Sequence, residues 1–108
     1  MTKFDQFLGE VKKGVKNLVL ELVHDYQDKA IKESEDFLER TKSDLERWLK
    51  LLIAGELTRE EFEWLVKGKK DLLALHTLKQ EGLARVQIDR FRNGLLKLIV
   101  DKAFAILI

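Results

Sequence analysis

The sequence predicts an all-α fold, a long antiparallel helical hairpin, and three observations carry that expectation. Ala, Glu, Lys, Leu and Arg make up 57 of the 108 residues, and there is no proline, where average usage would give about five. Apolar residues recur in steps of three and four along most of the chain. One strong stop-and-start signal, Gly55-Glu56-Leu57-Thr58, falls almost at the midpoint. Gly55 suits the left-handed residue that closes a helix. Thr58 with Glu61 forms a capping box that opens the next one, and Glu60 and Glu61 complement its positive end.

Arm one is expected over residues 3–54. Phe4, Leu8, Val11, Val15, Val19, Leu22, Tyr26 and Ala30 keep one phase, and Phe37, Leu45, Trp48 and Leu52 resume it. Ser43 with Glu46 offers a second capping box, so a break near 41–44 is the alternative to a continuous helix. Arm two, residues 59–106, carries Phe62, Leu65, Val66, Leu72, Leu73, Leu75, Leu83, Val86, Phe91, Leu95, Leu98 and Ile99. Lys67-Gly68-Lys69-Lys70-Asp71 marks a possible kink, and Thr77 with Gln80 another possible cap. Gly68, Gly82 and Gly94 are each unfavourable inside a helix by about 1 kcal/mol, which points to close helix contact or slight bends.

Charge supports the pairing of the arms. If the corner joins antiparallel helices, facing residues have numbers summing to about 113. Segment 21–46 has a net charge of −5 and its facing segment 67–92 a net charge of +4. Two helices of about 50 residues would extend about 75 Å. Such a ribbon leaves apolar positions wet, because Leu18, Leu20, Val23, Leu49, Leu51 and Ile53 lie off the main stripe. A second copy completing a four-helix assembly would cover them; arms folded back into a four-helix monomer are the alternative. The expected contact residues are Leu8, Val15, Leu22, Leu95 and Leu98.

Around the corner, Gly55, Leu57, Thr58, Glu61 and Phe62, followed by Lys69-Lys70 and Leu72-Leu73, resemble the short C-terminal bacterial helical-hairpin motif abbreviated SHOCT. The lysine pair falls about one turn later than in that motif, and the matched stretch, residues 49–73, is mid-chain. The resemblance implies a self-association or interaction element and carries over no catalytic residue.

Other chemistry finds little footing. The absence of cysteine excludes disulfides, thiolate zinc sites and a cysteine nucleophile, and a cytoplasmic location is the default expectation. No apolar run approaches the 20 or so residues of a membrane span, and no secretory signal is visible. Glu21 and His24 form a Glu-x-x-His pair of the kind used twice in di-iron bundles, with Glu10 or Asp89 as possible extra carboxylates. A partly buried histidine is the simpler reading, and no cofactor is expected. Lys79, Arg85, Arg90, Arg92 and Lys97 around Phe91 suggest a nucleic-acid patch, but a net charge of +1 speaks against it. Trp48 and Trp64 are expected to pack together at the corner. Phe4, Phe7 and Val11 with Lys12, Lys13 and Lys16 form a basic amphipathic helix that could lie on a membrane. The sequence thus points to a non-enzymatic structural or adaptor module acting through self-association or on another helical protein. A peripheral membrane protein is the alternative.

Overall fold

The computed structural model describes residues 2–107, apart from the side chain of Leu107. Five α-helices account for most of it: α1 (Lys3–Leu22), α2 (Gln27–Ile53), α3 (Arg59–Lys67), α4 (His76–Gln80) and α5 (Arg85–Leu107). The described residues contain no strand. Part of the apolar C-terminal tail, the Leu107 side chain and Ile108, lies outside the described residues.

The corner forms where its residues require it. Gly55 has φ +77°. Its N–H donates to the Leu52 carbonyl at 3.2 Å, and that of Glu56 donates to Leu51 at 2.9 Å. These paired bonds satisfy the carbonyls that the end of α2 leaves free. Thr58 Oγ1 accepts from the Glu61 N–H at 3.1 Å, and the Glu61 carboxylate accepts from the Thr58 N–H at 3.0 Å.

The uninterrupted arm over 3–54 needs correcting. It breaks at Val23 and not at 41–44. Val23 (φ −139°, ψ 40°) leaves the helix, and His24–Tyr26 form a single 3-10 turn before α2 starts. Val, His, Asp and Tyr are four weak helix formers in succession. Val23 also gains burial by turning inward, being 2% exposed. Residues 41–44 stay helical inside α2, where the buried Thr41 hydroxyl donates to the Phe37 carbonyl at 2.9 Å.

Arm two is interrupted more heavily. After α3 come a 3-10 turn at Lys70–Leu72, then Leu75 in the left-handed region (φ 57°, ψ 42°) at the head of α4. For a non-glycine residue that conformation costs about 1–2 kcal/mol. The Leu75 side chain, 2% exposed, offsets it by burial. Gly82 (φ +94°) ends α4 with the same paired bonds as Gly55: its N–H to Lys79 and that of Leu83 to Leu78. Gly82 is therefore a helix terminator. Gly94 does mark close helix contact, as expected.

Despite these breaks, the expected register survives. Glu10 pairs with Lys102, Gly14 lies under Leu98, and Leu18 lies over Gly94. All three pairs of numbers sum to 112. Asp44 Oδ2 is 2.7 Å from Lys69 Nζ, the Thr77 N–H donates to Glu33 at 3.1 Å, and Lys29 pairs with Glu81. Those sums run from 110 to 113. The chain is a hairpin doubled over on itself: its outer half, α1 with α5, folds back against its inner half, α2 with α3 and α4. Four antiparallel rods result from one chain, and the longest dimension is 43 Å instead of about 75 Å. Phe7, Phe37, Phe62, Phe91, Leu95 and Ile99 fill the shared core.

Close approach of α1 and α5 rests on two glycines. A Cβ on Gly14 would stand 2.6 Å and 2.8 Å from the Leu98 methyls, whereas one on Gly9 would meet nothing within 4 Å. Gly14→Val is expected to destabilise the protein by about 1–3 kcal/mol through overpacking. Gly9→Ala should stabilise it by about 0.5–1 kcal/mol through helix propensity. Urea unfolding followed by circular dichroism measures both.

Candidate functional site

The doubled-over fold redistributes the residues expected to act at surfaces. Val15 and Leu95 are buried within the single chain, and Leu8, Leu22 and Leu98 are half-buried against the same core. They already serve contacts between the rods of one molecule. Of the apolar positions off the main stripe, Val23 and Leu49 are buried, Leu18 is half-buried, and Leu20 and Ile53 are exposed. The apolar face of the N-terminal helix is likewise turned inward. Phe7 and Val11 are fully buried, Phe4 stacks on Phe7 with ring centroids 6.0 Å apart, and Lys12, Lys13 and Lys16 remain outside.

Glu21 and His24 do not share a helix face, because α1 ends at Leu22 between them. His24 Nδ1 lies 3.2 Å from an oxygen of Asp25, and both side chains are exposed. Among the described residues no three His, Asp or Glu side chains come together as metal ligands. His76 is exposed at the start of α4. Phe91, the aromatic of the suggested nucleic-acid patch, is buried in the core. Arg92 is turned to structural use: its Nε donates to the Leu73 carbonyl at 2.9 Å and Nη1 to Asp89 at 3.1 Å.

The two tryptophans separate. Trp48, 7% exposed, belongs to the core, while Trp64 is 77% exposed. The signal was present in the helical wheel, since Trp64 lies on the opposite side of α3 from Phe62 and Val66. Between the indoles runs a groove of about 490 Å³ lined by Leu65, Lys67, Gly68, Lys69 and Lys70. Its cations are placed unequally. Lys69 is held 2.7 Å from Asp44 and 5.7 Å above the Trp48 ring, and Lys67 pairs with Glu63 at 3.0 Å. The hydrogen bond from Lys69 pulls the Asp44 carboxyl below its ordinary value of 3.8. A large aromatic surface rimmed by cations is the strongest exposed feature of the molecule.

A smaller space of about 190 Å³ lies against the irregular part of arm two, bordered by Glu33, Asp36, Arg40, Asp71, His76 and Leu75. Glu33 Oε1 accepts the Thr77 N–H, taking over the capping role expected of the Thr77 side chain. Glu33 Oε2 is buried and has no hydrogen-bond partner among the described residues. No nucleophile stands beside a base there.

Comparison with protein-family models, with curated proteins and with solved structures finds no match to this chain.

Two outcomes test this geometry. Because its pKa is depressed in the fold, Asp44 stabilises the protein above pH about 4, and that contribution is lost as pH falls through the depressed value. Asp44→Asn should lower stability at pH 7 by less than about 1 kcal/mol and reduce its fall on acidification, as read by thermal melts from pH 2 to 7. Removing the cap of α4 by Glu33→Ala should cost about 1 kcal/mol, and Glu33→Gln, which keeps an acceptor, should cost less.

Proposed function

We propose that this chain is a non-enzymatic structural or adaptor module acting through helix–helix self-association, with the exposed face of α3 as its contact surface. The observation that carries this reading is Trp64, an indole 77% exposed on a helix whose other face is buried. Tryptophan is enriched among the few residues that dominate the energy of protein interfaces. A second copy is the favoured partner because the chain carries complementary charge. The groove beside Trp64 presents Lys67, Lys69 and Lys70. The outer face of α2 presents exposed Glu35, Asp36, Glu39 and Glu46. The resemblance of the corner to the SHOCT hairpin implies the same kind of use. A membrane role has less to draw on, since Phe7 and Val11 are engaged in the core.

Light scattering across micromolar to millimolar concentration tests the reading. The native chain should gain mass with concentration, and Trp64→Ala should move the transition at least about tenfold higher. Glu56→Ala, in the exposed corner, should leave it in place. A native mass that stays at one chain throughout would overturn self-association.

A further inference from the structure

We propose that the bundle opens at its two turns and exchanges halves with a second copy, giving a dimer in which each outer half packs on the partner's inner half. The exchange uses the buried faces between the halves and does not depend on Trp64.

Three observations carry this. The first is the register. The pairs Glu10–Lys102, Gly14–Leu98 and Leu18–Gly94 lie wholly within the outer half, and Asp44–Lys69, Glu33–Thr77 and Lys29–Glu81 lie wholly within the inner half. Swinging the halves apart therefore breaks none of them. Only the contacts of α1 with α2 and of α3 with α5 are lost, and a second copy restores each with identical residues.

The second observation is the position of the turns. His24–Tyr26 and Gly82–Ala84 lie at the same end of the bundle, bracketed by the Lys29–Glu81 pair. Both hinges thus act at one level, and the chain opens like a jackknife.

The third is that the first turn is competent to be helix. Only Val23 and Tyr26 depart from helical angles, no side chain caps the turn, and Gln27 is already helical (φ −55°, ψ −46°). Val19, Leu22, Tyr26 and Ala30 keep their helical spacing straight through it, with no glycine or proline. Rotation at two residues makes α1 and α2 one helix with an unbroken apolar stripe. The opened hairpin is about 75 Å long, and two of them close antiparallel about a two-fold axis with no free surface left to add a third.

The test uses engineered cysteines in a chain that has none of its own. Lys12→Cys with Glu35→Cys places a pair across α1 and α2, whose side chains line one groove. Glu10→Cys with Lys102→Cys places a pair within the outer half. Each variant is refolded at millimolar concentration, sized by light scattering, oxidised and run on a non-reducing gel. Exchange requires a dimer in which the first pair links two chains and the second links only residues of one chain. A dimer whose first pair closes within single chains refutes exchange and leaves association through Trp64 standing. Exchange that persists in Trp64→Ala refutes the Trp64 surface and leaves the exchange standing. Absence of any dimer refutes exchange. His24→Ala with Asp25→Ala, both at exposed positions, favours helix through the turn and should raise the dimer fraction at least about threefold. An unchanged fraction would count against the hinge.

Discussion

Gly14 beneath Leu98 and Gly94 beneath Leu18 bring α1 and α5 into close contact over the outer half of the molecule. That contact fixes how far residue i stands from residue j across the hairpin, and the other packing relations follow from it. With those pairs in place, Glu10 reaches Lys102. The same register carried through the inner half places Lys69 on Asp44 and Glu33 under the start of α4. The core aromatics then meet, with Phe62 of α3 edge-on to Phe104 of α5 at 6.0 Å.

The irregular stretch between α3 and α5 is held by ties from outside itself. Arg92 takes the Leu73 carbonyl and Glu33 takes the Thr77 N–H. Leu73, Leu75 and Leu78 are buried along it, at 1%, 2% and 0% exposure. A left-handed leucine persists here because its neighbours over-determine its position. Strain, an orphaned Glu33 oxygen and a small polar space thus coincide at one place, and each is accounted for by the packing of this segment.

Much of this was legible in the chain itself, and the parts that were not have physical causes. Helical class, the Gly55–Thr58 corner and the facing register rest on local chemistry: a left-handed glycine, a reciprocal cap, complementary charge. The turn at Val23 was hidden because the apolar residues keep their helical phase across it. Burial of Val23 and the weak propensity of its neighbours decide the matter, and burial depends on what the chain folds against. Gly82 was ambiguous for a similar reason, since a glycine that ends a helix and one that admits a neighbour look alike until the backbone is known. The expected contact surface moved because Val15 and Leu95 face other rods of the same chain. Trp64 required only a closer look at which side of α3 it occupies.

The nested register also governs how the chain can find its fold. Glu10 and Lys102 are ninety-two residues apart, a separation that in an open chain makes contact entropically expensive and slow. Here every long-range pair encloses a shorter one, down to the four-residue corner. Once Asp44 meets Lys69, bringing Glu33 to Thr77 closes only a modest further loop, and each later pair adds a similar increment. The entropy of closing the ends is divided into small steps, as in a zipper pulled from one point. Nucleation is therefore local and sits at Gly55 and Thr58, far along the sequence from the contacts that hold the termini.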